Sequence, residues 1–222
     1  MRQPLKQPHE MFDPDPRNTS FARLDATGPH SKTVEEHYRD VAAIRLSARV
    51  PAAIRHEFDT VRNLYLYSWY VYDFTVAADL YAYALMERTI KEKCLRADVP
   101  LKGEKGLKKL LKLCIRQGWL TNADFELAVA LTHTELVFPA GESEPPVLRS
   151  TPRYRPSDTD FCEQLAESLS QIRNMGAHGE AGLGLPASTL RTIEICRCIA
   201  NALFRDHGLT AEPDSEPVPT VG

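Results

Sequence analysis

The chain has 222 residues and lacks any stretch of about 18 uninterrupted apolar residues, so no membrane-spanning helix is expected. Its first segment, Met1-Arg2-Gln3-Pro4-Leu5-Lys6-Gln7-Pro8, lacks the apolar core of a secretory signal. Cysteine is scarce. The five residues Cys94, Cys114, Cys162, Cys196 and Cys198 are scattered without metal-ligand spacing, and their odd number points to reduced thiols in a cytoplasm. Cys196-x-Cys198 sets two thiols on different faces of a helix, so neither a metal clip nor a disulfide is expected there. Neither sign of charge dominates: 27 Lys and Arg against 30 Asp and Glu leave a net charge of -3. A global bias toward nucleic acid is therefore missing, and any polyanion site must be local. No convincing strand pattern and no internal repeat occur.

What is present is ordinary globular chemistry. Hydrophobic residues make up 43% and charged residues 26%, which excludes wholesale disorder and a fibrous repeat. The length suits one domain with extra segments. Residues 1–30 carry Pro4, Pro8, Pro14, Pro16 and Pro29 and read as an extended or poorly ordered lead-in. Residues 211–222 read as a disordered tail. Between them, residues 31–210 are helical nearly throughout. Thr33 is placed to cap a helix containing Val34, Tyr38, Val41, Ala42 and Leu46. Pro51 suits the first turn of a second helix, with Ile54, Phe58, Val61 and Tyr65 on one side. A long third helix is predicted over about Trp69–Cys94, and the aromatic run Tyr65–Tyr72 is read as helix and core despite its β propensity. Further helices are predicted near 104–117, stopped by Gly118; from Thr121 or Asn122 to about Leu136; from Asp158 or Asp160 to Ile172; and over Ser188–His207, closed by Gly208. The Pro-rich piece 139–158 reads as a long loop insertion. The expected fold is an all-α bundle of six or seven helices.

Charge is uneven along the chain. Lys91 to Arg116 holds nine Lys or Arg against Glu92, Asp98 and Glu104, a local balance of +6. Lys105, Lys108, Lys109, Lys112 and Arg116 follow helical periodicity, while Leu107, Leu110, Leu111 and Cys114 take the complementary face. Such a stripe is either a solvated lysine face or a set of phosphate contacts for RNA. Arg149, Arg153, Tyr154 and Arg155 add cations and an aromatic ring to the loop.

The most informative stretch is Gln171-Ile172-Arg173-Asn174-Met175-Gly176-Ala177-His178-Gly179. Arg173 is a fixed cation with a planar donor fork suited to phosphate. His178 exchanges protons near neutrality. Asn174 adds a neutral donor and acceptor. Gly176 and Gly179 are expected to interrupt the helix and let the backbone turn His178 toward Arg173. Plain capping chemistry at a helix end would use the same residue types.

Arg173-Asn174-x-x-x-His178, at the end of one helix and before another, resembles the R-x(4–6)-H motif of the HEPN superfamily (higher eukaryotes and prokaryotes nucleotide-binding domain). The phrase Leu80-Tyr81-Ala82-Tyr83-Ala84-Leu85-Met86-Glu87-Arg88 resembles the long family helix that crosses behind that motif. The resemblance spans about residues 35–207 and is specific at the motif. It implies a metal-independent endoribonuclease without cofactors, whose site forms where two chains of a homodimer meet. Arg173, Asn174 and His178 would be its catalytic residues, and Glu87 a residue that either holds Arg173 or pairs on the surface. Cleavage needs a base for the 2′-hydroxyl, an acid for the departing 5′-oxygen and cations on the phosphate. Two histidines from a symmetric pair supply the first two. The same resemblance also implies a toxin or antiviral role, with an antitoxin or nucleotidyltransferase partner. Members with a degenerate motif bind RNA or a partner without cutting, which is the alternative reading.

Overall fold

The computed structural model describes residues 5–19, 22–25, 28–101, 103, 106–125, 134–137, 147–150, 161–177 and 185–205. The fold is an all-α bundle. Its helices are α1 (Pro16–Thr19), α2 (Val34–Ala42), α3 (Ala52–Tyr67), α4 (Phe74–Arg96), α5 (Leu107–Arg116), α6 (Phe161–Ala177) and α7 (Pro186–Leu203). Short 3-10 turns occupy Pro8–Glu10 and Asn122–Phe125. Two small antiparallel hairpins lie outside the bundle: β1 (Ala22–Asp25) with β2 (Gly28–Ser31), and β3 (Thr134–Val137) with β4 (Val147–Ser150). Leu24 is registered against Pro29 in the first, Leu136 against Leu148 in the second.

α4 is the axis of the bundle and packs against α3, α7, α5 and α6. Helices touch it on several sides, so its buried residues (Ala78, Ala82, Tyr83, Leu85, Met86, Ile90 and Cys94 among them) cover a broad arc rather than one stripe. Ala78 and Ala82 are fully buried, and the small side chains let α7 come close enough for Cys196 Sγ to lie 3.9 Å from the Ala82 carbonyl. Its end is a Schellman turn: Asp98, at φ 53°, and Val99 donate main-chain N–H groups to Leu95 and Cys94. α5 ends the same way at Gly118, where φ is 67°, as expected for a glycine just past a helix. Thr33 caps α2 as the sequence suggests. Its hydroxyl accepts from Glu36 N (3.3 Å), and the Glu36 carboxylate accepts from Thr33 N (2.9 Å).

Four expectations are corrected. The long helix does not begin at Trp69. α3 stops at Tyr67, the chain turns through Ser68–Asp73, and α4 starts at Phe74. The expected helix from Thr121 to Leu136 is a single 3-10 turn followed, beyond residues outside the description, by β3. Thr134 and Val137 are β-branched, and pairing with β4 satisfies main-chain groups that helical propensity alone would have left to a helix. Strands therefore exist where none was expected, as peripheral hairpins.

The fourth correction concerns the lead-in. Residues 5–19 are not a loose extension; they dock on the α3–α4 corner. Asn18 Nδ2 donates to the Ser68 and Trp69 carbonyls (2.7 and 3.0 Å). Asp15 N donates to the Trp69 carbonyl (2.9 Å), and the Asp15 carboxylate accepts from Tyr72 N (3.2 Å). Breaking a helix leaves main-chain groups without partners; here a segment more than fifty residues earlier supplies them. Arg17 grips Asp15 with two donors (3.0 and 2.9 Å), reaches Asp73 (3.0 Å) and lies over the Tyr72 ring, 4.5 Å from its centroid. The tail 211–222 and Gly208 lie outside the described residues.

Burial pushes the Asp15 carboxyl up, but the Arg17 side chain and the N–H groups of Arg17 and Tyr72 outweigh it and hold the carboxyl below the usual range. Because the folded value is depressed, the stabilisation is present above the unfolded value of about 3.9 and is lost as pH falls through the folded one. Asp15→Ala or Asn18→Ala should each cost about 1–3 kcal/mol in urea unfolding. The deficit of Asp15→Asn relative to the parent should shrink toward pH 3. A pH-independent deficit would show that the Asp15 charge contributes nothing.

Candidate functional site

α6 carries the motif, and the first half of the helix is firmly seated. Cys162 N donates to Asn122 Oδ1 (3.1 Å), and Phe161 packs on Phe125 with ring centroids 5.5 Å apart. Cys162, Leu165, Ala166 and Leu169 are buried, on the face that meets α5 and α4. The helix does not end near Ile172. It continues through Gly176 to Ala177, so the expected interruption at Gly176 is corrected. One internal glycine costs a helix only about 1 kcal/mol, less than the packing of the preceding turns supplies. Arg173 and Asn174 therefore sit in the last turns of a continuous helix. Position 173 continues the buried series 162, 166, 169, whereas position 174 continues the series of Glu163 and Glu167. His178 directly follows the last helical residue and lies outside the described residues, as does Gly179.

The lysine stripe has a different setting from the one the sequence suggests. Lys108 Nζ lies 2.5 Å from Glu167, and Lys112 Nζ lies 2.8 Å from Glu167 and 3.6 Å from Glu163. Hydrogen bonds from Lys108 and Lys112 hold the Glu167 carboxyl below its ordinary value, and Glu167 in turn raises the Lys112 ammonium. These two lysines form an ion-pair seam between α5 and α6 rather than an open phosphate-contact row. Lys109 Nζ donates to the Gly103 carbonyl (3.3 Å). Arg116 occupies the last turn of α5, and Lys105 lies outside the described residues. Lys93, counted in the same basic segment, is buried beside the Trp119 ring (5.1 Å to its centroid), and burial pushes its ammonium value down. Glu87 lies 3.9 Å from Lys91 on its own helix, while Arg88 pairs with Glu57 of α3. Arg149 is in β4; Arg153, Tyr154 and Arg155 fall outside the description.

Sequence reasoning missed a polar cluster between α4 and α7. Thr189 Oγ1 donates to Asp79 Oδ2 (3.1 Å), and Thr192 lies in hydrogen-bonding reach of Asp79 and Tyr83. The other carboxylate oxygen, Oδ1, is buried with no hydrogen-bond partner among the described residues. Burial pushes Asp79 up to about 6 and Tyr83 up to about 12. The signal was an Asp and a Tyr four apart on a helix whose neighbouring residues are mostly apolar. Among the described residues no group of three or more His, Cys, Asp or Glu is arranged to hold a metal ion, and no helix is long and apolar enough to cross a membrane.

Asp79 yields a pH test. A folded value raised to about 6, against about 3.9 unfolded, means the fold favours the protonated form. That contribution is complete below about pH 4 and is lost as pH rises through about 6. Asp79→Asn should therefore gain melting temperature over the parent at pH 7.5 and converge with it near pH 4. A constant offset across that range would show that Asp79 does not titrate in this window. No family model matches the chain, and no curated protein or solved structure matches it either.

Proposed function

We propose that the protein is a metal-independent endoribonuclease of the HEPN kind, acting as a homodimer in which each chain brings Arg173, Asn174 and His178 to the shared site. The observation that carries this reading is the continuity of α6 through Ala177, which keeps Arg173 and Asn174 on one rigid rod immediately before His178. A helix C-terminus holds partial negative charge, which favours an imidazolium and disfavours a phosphate. An RNA phosphate there needs compensating cations, and two arginines from two chains meet that need with bidentate forks. One histidine removes the 2′-hydroxyl proton as that oxygen attacks phosphorus. The other protonates the departing 5′-oxygen, leaving a 2′,3′-cyclic phosphate and a 5′-hydroxyl. A toxin or antiviral role, with an antitoxin or nucleotidyltransferase partner, belongs to the same proposal.

One observation favours the alternative, a non-catalytic RNA-binding or partner-binding bundle: Lys108 and Lys112 face carboxylates of the same chain. Substituting Glu163→Gln together with Glu167→Gln should free those lysines, tighten RNA binding and steepen its salt dependence. Unchanged affinity and slope would assign α5 a purely structural role.

The decisive test is cleavage of mixed RNA in EDTA. His178→Ala should lower the rate by about 10²–10⁴. Arg173→Lys keeps charge but loses the fork and should also lose activity; Asn174→Ala should lose less. Melting temperatures should stay close to that of the parent, and light scattering should report a dimer. Full activity in His178→Ala would end the nuclease reading.

A further inference from the structure

The docked N-terminal segment combines two features that are seldom found together. Its polar side chains are buried: Asp15 is 1% and Asn18 3% exposed. Its large apolar side chains face solvent: Leu5 is 91%, Phe12 74% and Met11 53% exposed. Hydrogen bonds to the α3–α4 corner thus fix a strap whose apolar groups are left outside the core. Across from them, Phe74 at the start of α4 is 37% exposed. Leu5, Pro8 and Met11 on one side and Val71 and Phe74 on the other line an open groove of about 780 Å³. Phe12 meets Tyr70 edge-on, with centroids 6.1 Å apart, and Tyr70 lies 6.5 Å from Tyr67, itself 52% exposed, so the apolar surface extends onto α3. Single exposed apolar residues are normal, but a contiguous patch around a groove marks an interaction site.

Charge around the groove selects its occupant. The cations are engaged within the chain: Lys6 donates to the Glu10 and Asp13 carbonyls (3.2 and 2.5 Å), and Arg17 bridges Asp15 and Asp73. The carboxylates of Glu10, Asp13 and Asp73 lie on exposed residues around the groove, and that of Asp13 has no partner among the described residues. An anionic rim repels RNA phosphates, so the exposed rings are not a base-stacking platform. It also opposes a symmetric contact, in which the same rim would meet itself. We propose that this groove docks an apolar segment of a protein partner, with basic residues of that segment meeting the acidic rim. Apolar anchors in the groove supply affinity, and the rim supplies orientation and selectivity. This inference is independent of the ribonuclease reading.

The test uses the full chain as bait in random-peptide display, counter-selected on a Met11→Ser/Phe74→Ser variant, followed by fluorescence anisotropy of the enriched peptides. Both substituted side chains are solvent-accessible, so the variant should fold; circular dichroism checks that. Enriched peptides should carry large apolar residues with Lys or Arg nearby. Each single substitution should weaken their binding about tenfold, and Asp13→Lys should weaken it by several-fold. Peptides that bind the double variant as well as the parent, or enriched peptides that are acidic, would overturn the proposal. So would substitutions that leave peptide binding unchanged but abolish a dimer seen by light scattering or reduce binding of a single-stranded RNA 12-mer, because the occupant would then be a second copy or RNA.

Discussion

The structure depends on α4 being buried by four other helices at once. A helix in that position must be apolar over most of its circumference, and any polar group it carries must find a partner nearby. Thr75 and Thr89 meet the second condition with their own backbone, donating to the Tyr72 and Leu85 carbonyls (2.9 and 2.7 Å). Asp79 meets it across the α7 contact, through Thr189. The small side chains of Ala78 and Ala82 bring α7 close, while Met86 and Ile90 fill the rest of the core beside α3 and α5. Deleting such a side chain costs about 2–5 kcal/mol, more than any surface ion pair in the protein can contribute.

Around that axis, polar contacts set the joints rather than the core. The strap closes the α3–α4 corner through Asp15 and Asn18. Ser47 N donates to Asn201 Oδ1 (2.8 Å), and Arg205 pairs with Asp124, tying α7 to the loops beside it. His37 is stacked on Tyr65 with centroids 4.4 Å apart, Nε2 lying 2.9 Å from the Tyr65 carbonyl; burial pushes its value down to about 4, so it is neutral and structural. The same logic seats α6. Asn122, Phe125 and the lysine seam hold its first half, and the motif residues occupy the turns that follow.

The helices with one apolar face were legible in the sequence. Thr33 and Glu36, Gly118, and the Leu107–Leu110–Leu111–Cys114 row act locally, so their neighbours in the chain suffice to read them. The aromatic run was only partly legible. Tyr65, Trp69 and Tyr72 are core, as expected, but Tyr67 and Phe74 are exposed, because the chain leaves the helix at Ser68 and resets which side chains point inward. The basic row was read correctly as a helix face and incompletely as a charge. Periodicity identifies the side on which Lys108 and Lys112 lie, but not that Glu163 and Glu167, about fifty residues later, stand opposite them.

The sequence by itself determined the helical class, the amphipathic faces and the identities of Arg173, Asn174 and His178 as residues able to hold phosphate and move protons. Those properties follow from side-chain chemistry and from a repeat of 3.6 residues, both of which are local. The tertiary structure alone decided that the chain breaks at Ser68, that the N-terminal segment satisfies the exposed backbone there, and that the lysine seam is internally neutralised. The physical reason is common to all three. Each rests on a polar group meeting its partner across a long stretch of chain. Main-chain donors and charged side chains accept many partners of similar energy, so only packing around α4 selects which one is present.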